Sequence, residues 1–161
     1  MRFGIGYDIH PFDPARLLVL GGVKIEGTWG LRGHSDADVV LHAVADALLG
    51  AAALGDLGEH FPDRDPAWKD VASAVILAEV VAKVRARGYL PGNVDVTVVA
   101  ERPRIAPYRA AMRERISDLL GLPPEAVSVK ATTNEGLGAL GRGEGIAALA
   151  VASLRDAGDA A

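Results

Sequence analysis

The chain has 161 residues, half of them hydrophobic, with no cysteine and a formal net charge of −4. That length and apolar content suit one domain, 1–161, with a substantial core, and argue against intrinsic disorder. The lack of cysteine excludes disulfides, thiolate nucleophiles and thiolate-bound zinc, and the acidic balance argues against bulk binding to nucleic acid or an anionic membrane. The opening MRFGIGYDIH puts glycine and aspartate where a secretion signal needs an unbroken apolar run. No apolar stretch is long enough to cross a bilayer, so a cytoplasmic protein is expected.

Residues 2–10 alternate with period two. Phe3, Ile5, Tyr7 and Ile9 fall on one face, and Gly4, Gly6, Asp8 and His10 on the other. This predicts a strand whose glycines admit a close neighbour and whose bare face ends in two polar prongs. Residues 16–25, RLLVLGGVKI, predict a hairpin turning at Gly21 and Gly22. After a loop over 27–33, residues 34–50, HSDADVVLHAVADALLG, predict one helix with Ser35 as N-cap and Asp36 and Asp38 in its first turn. Its body is apolar all round, as in a buried helix, except for Asp38, His42 and Asp46 at i, i+4 and i+8. Such a stripe is costly in a core unless it faces a metal, a partner group or a cleft.

Residues 55–66, GDLGEHFPDRDP, form a long loop carrying Asp56, Glu59, Asp63 and Asp65, of the kind that serves as a lid or binding loop. A second helix is expected over 70–87, capped by Asp70 and stopped by Gly88, then a strand over 94–101. Pro107 opens a third helix that Gly121 ends, and 127–132 is a strand. A glycine-rich loop over 133–145 leads to an apolar run over 146–154, a final buried strand that periodicity alone does not separate from a helix. The tail beyond Arg155 is expected to fray. The order points to an α+β architecture: a small, mainly antiparallel or mixed four-stranded sheet with helices on one face, plus a short hairpin. The other sheet face stays apolar and needs a cover, most simply another copy of the chain.

Asp8, His10 and His42 carry the strongest chemical signal. Two imidazoles and a carboxylate suit a divalent metal, zinc first and manganese or iron next, with a coordination position left for substrate. Asp38 or Asp46 would then hold an imidazole N–H. This needs the strand and the helix to meet; otherwise Asp8 and His10 merely end a strand and His42 is a satisfied core histidine. His34 and Ser35 at a helix N-terminus suit an anion, but the acidic first turn favours plain capping unless a cation intervenes. In KATTNE, 130–135, hydroxyls can meet phosphate and Glu135 a hard cation, or Asn134 simply closes a turn. In GRGEG, 141–145, Arg142 either reaches an anion or pairs with Glu144. No P-loop, dinucleotide fingerprint or nucleophile elbow is present.

Five stretches, GYDIHPF, LRGHSDADVVLHAVADALLGA, GDLGEHFPDRDP, AERPRIAPY and VKATTNEGLGALGRGEG, together resemble the 2-C-methyl-D-erythritol 2,4-cyclodiphosphate synthases of non-mevalonate isoprenoid biosynthesis, in order and over about residues 2–154. The resemblance implies a metal-dependent lyase. The substrate 4-diphosphocytidyl-2-C-methyl-D-erythritol 2-phosphate turns its own 2-phosphate on the β-phosphate, releasing CMP and closing the ring. It further implies zinc or manganese on Asp8, His10 and His42, and magnesium or manganese on Glu135 with the substrate diphosphate. His34 and Thr133 match positions that stabilise the transition state, with Ser35 near phosphate. Asp56, Gly58 and the Phe61, Asp63 and Asp65 loop would hold the methylerythritol portion. Ala100, Arg104, Ile105 and Ala106, with Ala131, Thr132 and Thr133, would form the cytidine pocket. A homotrimer through the other sheet face is implied, with sites between subunits and a central cavity near Ala139 and Arg142 suited to an anionic isoprenoid ligand. Arg104 stands where the family commonly has lysine, and Ala139 where many members carry an aromatic. The rival readings are a non-catalytic protein that binds metal and a cytidine nucleotide, and a metal phosphohydrolase using water.

Overall fold

The glycine face of the first strand decides where the long buried helix can lie. The computed structural model describes residues 1–62 and 64–160. In chain order the elements are β1 (Arg2–Asp13), β2 (Leu18–Leu20), β3 (Val23–Ile25), β4 (Gly30–Leu31), α1 (Val39–Ala52), α2 (Leu57–His60), α3 (Ser73–Ala86), β5 (Tyr89–Val99), α4 (Arg109–Leu120), β6 (Val127–Thr132), α5 (Gly138–Gly141) and β7 (Gly145–Asp156). At Gly4 a Cβ would run into the carbonyl of Ala47, and at Gly6 into that of Ala43. Helix α1 therefore lies directly on the backbone of β1, with no side chain between them.

The main sheet is mixed, in the order β4-β1-β7-β5-β6. Strand β7 runs antiparallel to both β1 and β5, while β5 and β6 are parallel. The sheet has five strands rather than four, because Gly30–Leu31 pairs with Phe12 and Asp13 at the far end of β1. The register puts Gly6, Ala150, Val96 and Val129 in one row on the helix-covered face. Most of the buried apolar residues form one cluster. The opposite row runs Tyr7, Leu149, Thr97 and Lys130, so the outer face is apolar over β1 and β7 and polar over β5 and β6. Phe3, Ile5, Tyr7 and Ile9 are all exposed there.

Several boundaries move for identifiable reasons. Helix α1 begins at Val39, not near residue 34, because Ala37 takes φ 58° and interrupts the chain before it. Its N-cap is Asp38, not Ser35. The Asp38 carboxylate accepts from Val40 N at 3.0 Å and Leu41 N at 3.1 Å, and also from Gly21 N at 2.9 Å and Gly22 N at 2.6 Å. One buried side chain thus closes the helix start and seats the β2–β3 turn, whose glycines have φ 59° and 73° as a type I′ turn requires. Asp70 does not cap α3: it sits at φ 57°, and the N-cap is Ala72 with no side-chain bond. The tail does not fray at Arg155, since β7 continues to Asp156 and Ala157 N bonds Gly88 O at 2.9 Å.

Replacing Gly6 by alanine is expected to push α1 off β1 and cost about 2 kcal/mol or more, as overpacking against rigid backbone does. Urea unfolding of the Gly6→Ala chain checks this; a midpoint unchanged from the parent contradicts it.

Candidate metal centre and cleft

Because Gly4, Gly6, Asp8 and His10 share one face of β1, the helix that packs on the glycines starts beside the two polar residues. His42 lies in the first turn of α1 and meets them there. Its Nδ1 is 2.9 Å from Asp8 Oδ2, and His10 Nε2 is 3.1 Å from the same oxygen. The two rings stand edge to face with centroids 5.8 Å apart. One ligand atom from each of Asp8, His10 and His42 falls within 4.8 Å of the others, so the donors fit a single divalent ion without rearrangement of the fold. The expected meeting of strand and helix is realised.

The electrostatics match a site built for a cation. Burial pushes the Asp8 carboxyl up, but hydrogen bonds and positive charge from His10 and His42 outweigh it and hold Asp8 well below the usual carboxylate range. Burial pushes His42 down, yet its bond to Asp8 and the charges of Asp8, Asp38 and Asp36 raise it above the usual imidazole value. Asp46, one turn after His42, is raised by burial and by Asp56 and Asp8, against the Leu57 N–H that it accepts.

The expected carboxylate support for His42 is absent. Asp38 is turned to the hairpin, and burial pushes it up to about 6 despite its N–H donors. Asp46 is engaged with Leu57 N at 3.1 Å. The other ring nitrogen of His42 instead faces Ser73 Oγ at 2.9 Å and Ser35 Oγ at 3.1 Å. Nothing in the one-dimensional pattern marks Ser73; it reaches the site because the backbone around Ser35 is clipped to the approach of α3, Asp36 N to Val71 O at 3.1 Å and Asp70 N to His34 O at 2.8 Å. Arg16 adds a strut, donating to Gly33 O and Ser35 O.

The cluster opens on a cleft of about 500 Å³. His34, Ser35, Asp56, Gly58 and Phe61 line it together with the three candidate ligands. His34 Nε2 lies 3.4 Å from Asp65 O, and the ring of Trp68 stands edge-on to Phe61 at 4.7 Å. Trp68, Ile76 and Tyr7 are lining residues that sequence reasoning missed, although a lone tryptophan beside an acidic loop was a usable signal. Asp56 caps α2 through Glu59 N at 3.0 Å, and Asp65 caps the short turn at Pro66–Trp68 through Ala67 N at 2.9 Å. Asp63 lies outside the described residues.

The remaining candidates sit elsewhere on the same end of the sheet. Thr132 ends β6, the strand farthest from β1 on that side, and Thr133 Oγ1 donates to Glu135 Oε1 at 3.1 Å on an exposed loop. Three strand spacings separate β6 from β1, roughly 14 Å. Ala100 N bonds Thr132 O at 3.0 Å, and Glu101 Oε1 accepts from Asn134 N at 2.9 Å, so the 100–106 and 131–135 segments form one unit. In that unit Ile105 is buried and Arg104, Ala106 and Ala131 are exposed; Ala139, in α5, is exposed as well. Arg142 Nε pairs with Glu144 Oε1 at 2.6 Å, the second of the two readings open for that motif. Among the described residues none of this unit lines the cleft of its own chain.

The sequence profile of the YgbB family matches residues 1–155. A 2-C-methyl-D-erythritol 2,4-cyclodiphosphate synthase from Symbiobacterium thermophilum is 60% identical over 154 residues, covering 96% of this chain and 98% of that protein. One from Salinibacter ruber is 57% identical, covering 98% of this chain and 100% of that protein. A solved 2C-methyl-D-erythritol-2,4-cyclodiphosphate synthase in its CDP-bound form superposes with a TM-score of 0.88 at 37% identity, over 96% of this chain and 100% of that one.

Metal uptake at the cluster is expected to strengthen as pH rises. His42 is raised in the metal-free chain, so an ion must displace its proton, and each unit of acidification below that raised value weakens binding by up to about tenfold. Zinc titration calorimetry between pH 5.5 and 8, in buffers of different ionisation heat, reads both the affinity and the proton released; an affinity flat with pH contradicts the assignment.

Proposed function

The chain belongs to the YgbB family, and from that membership and the geometry of the cleft we infer its reaction. It is a cyclodiphosphate synthase that converts 4-diphosphocytidyl-2-C-methyl-D-erythritol 2-phosphate to 2-C-methyl-D-erythritol 2,4-cyclodiphosphate and CMP. The observation that carries this is the near-full-length match to synthases at up to 60% identity in a chain whose Asp8, His10 and His42 converge on a cleft. A bond forms from a 2-phosphate oxygen to the β-phosphorus. The bond from that phosphorus to the bridging oxygen breaks, and its electron pair leaves with CMP.

No protein nucleophile is required, because the attacking group is the substrate's own 2-phosphate. What the chain must supply is orientation and neutralisation of charge. The cleft's own carboxylates, Asp8, Asp46 and Asp56, repel a polyanion. Zinc or manganese on Asp8, His10 and His42, with magnesium or manganese on Glu135 and the substrate diphosphate, would draw charge off the phosphate oxygens. His34, Ser35 and Thr133 would hold phosphate oxygens where negative charge develops. Asp56, Gly58, Phe61, Asp63 and Asp65 would seat the methylerythritol portion. Backbone groups of the unit built from Ala100, Arg104, Ile105, Ala106, Ala131 and Thr132 would read the cytosine. The CDP in the related solved structure supports a cytidine diphosphate ligand of this kind.

The site so described needs more than one copy. Thr133 and Glu135 stand at the far edge of the sheet from Asp8, and the outer face over β1 and β7 is apolar and exposed. Both features support a homotrimer in which one copy's cleft is completed by its neighbour's 131–135 loop. Arg142 and Ala139 would then border a central cavity, with an anionic isoprenoid as its ligand. No described helix is long and apolar enough to cross a membrane; a cytoplasmic enzyme free of nucleic acid and membrane is part of the proposal.

Phosphorus NMR of the chain with this substrate, zinc and magnesium is expected to show the cyclic diphosphate appearing with CMP, and His42→Ala to lose both zinc and cyclisation. Unchanged substrate in folded, metal-loaded protein, or a linear phosphate product, contradicts the reaction. Mixing denatured His42→Ala and Glu135→Ala chains and refolding them together tests the shared site. Each variant alone is inactive, and random trimers should regain about a quarter of wild-type activity. A mixture as inactive as its parents rules the shared site out.

A further inference from the structure

His42 puts its two ring nitrogens to different uses. Nδ1 faces Asp8 Oδ2 at 2.9 Å, on the side where the three candidate ligands converge. Nε2 points away, to Ser73 Oγ at 2.9 Å and Ser35 Oγ at 3.1 Å. A neutral imidazole carries one proton, so an Nδ1 lone pair free for a metal requires that proton on Nε2, and a buried N–H requires an acceptor.

Ser73 is fully buried, and its hydroxyl does not cap the helix that it opens. It donates to the Asp36 carboxylate instead, which leaves its oxygen lone pairs for the His42 proton. Ser35 Oγ already accepts from Ala37 N at 3.1 Å and lies 3.3 Å from Ser73 Oγ, to which it can donate. Asp36 is itself pinned, its N–H on Val71 O at 3.1 Å and its Oδ1 taking Asp38 N at 3.3 Å. With the Ser73 proton on Asp36, the Ser73 oxygen is free to accept from Nε2, and Ser35 can donate to Ser73.

We propose that Ser73 and Asp36 are positioning residues for the metal centre: Asp36 orients the Ser73 hydroxyl as acceptor for the Nε2 proton of His42, which fixes the tautomer whose Nδ1 binds the ion. This rests on the reading of Asp8, His10 and His42 as metal ligands. It gives α3 a part in the site, because Ser73 is its first residue.

The test is zinc affinity, measured by competition with a chromophoric chelator, for wild type, Ser73→Ala, Ser73→Thr, Asp36→Asn and the Ser73→Ala/Asp36→Asn double variant, with circular dichroism reporting the fold. Ser73→Ala and Asp36→Asn should each weaken zinc binding by about tenfold to a hundredfold, the usual effect of removing such a partner. The double variant should lose no more than the weaker-binding single, since both act through one bond, and Ser73→Thr should restore most of the affinity. Single variants within about twofold of wild type, or losses that multiply in the double, overturn the proposal. If a variant fails to fold, nitrogen–proton correlation spectra of the wild-type imidazoles with zinc bound decide: a His42 proton on Nε2 supports the proposal and one on Nδ1 overturns it. Wild-type chain that takes up no zinc overturns the ligand assignment and this proposal together, so the zinc titration of wild type tells the two failures apart.

Discussion

The bare contact between β1 and α1 is the constraint from which the site follows. With Gly4 and Gly6 under the carbonyls of Ala47 and Ala43, the helix axis comes closer to the sheet than any side chain would allow. The same face of β1 goes on to Asp8 and His10, and the same helix begins one turn before His42. Close packing and convergence of the three candidate ligands are therefore one geometric fact. A larger residue at either glycine would lift His42 away from Asp8 as it lifted the helix.

A second constraint settles the direction of the helix start. Asp38 accepts N–H groups from both the hairpin turn and the first turn of α1, and it is wholly buried while doing so. A carboxylate there is tolerable only because several donors face it, and burial still pushes it up to about 6. A raised carboxyl is a liability as pH rises: between the unfolded value near 4 and about 6, the folded state keeps a proton that the unfolded state has lost, so this group contributes less stability at neutral pH than at pH 4. Its place at the junction of hairpin and helix explains why so costly a group is kept. It also removes Asp38 from the cleft, and so leaves the support of His42 to hydroxyls.

Period-two alternation in 2–10, the Gly21 and Gly22 turn and the apolar helix body were legible because each rests on local chemistry that tertiary packing did not oppose. The meeting of Asp8, His10 and His42 was legible as a possibility of chemistry, and only the fold made it a distance. What escaped did so for physical reasons. Ser35 looks like an N-cap, but the left-handed backbone at Ala37 postpones the helix to Asp38, and a non-glycine residue at positive φ leaves no mark in sequence. Strand β4 is two residues long and exists only as a partner of Phe12 and Asp13. Ser73 lies 31 positions from His42 and is brought to it by backbone bonds between loops.

The two faces of the sheet assign different work to its two halves. On the outer face Ile5, Val151, Asp95 and Ser128 share one row, and Tyr7, Leu149, Thr97 and Lys130 the next. The β1–β7 half is apolar, whereas on the β5–β6 half Lys130 Nζ meets Asp95 Oδ2 at 2.5 Å. A continuous apolar sheet face would promote indiscriminate stacking; one that changes character midway offers a limited patch with a polar border, the form that closed symmetric assemblies use. The polar half leads into the Thr133 and Glu135 loop, and β1 of the apolar half carries Asp8 and His10 toward the same end of the sheet. The homotrimer proposed above, burying the apolar half of each copy, would let the Thr133 and Glu135 loop of one chain meet the Asp8 and His10 end of the next. An acidic cleft that must accept a polyanion would gain from that proposed arrangement, because groups from two chains would then share the neutralisation.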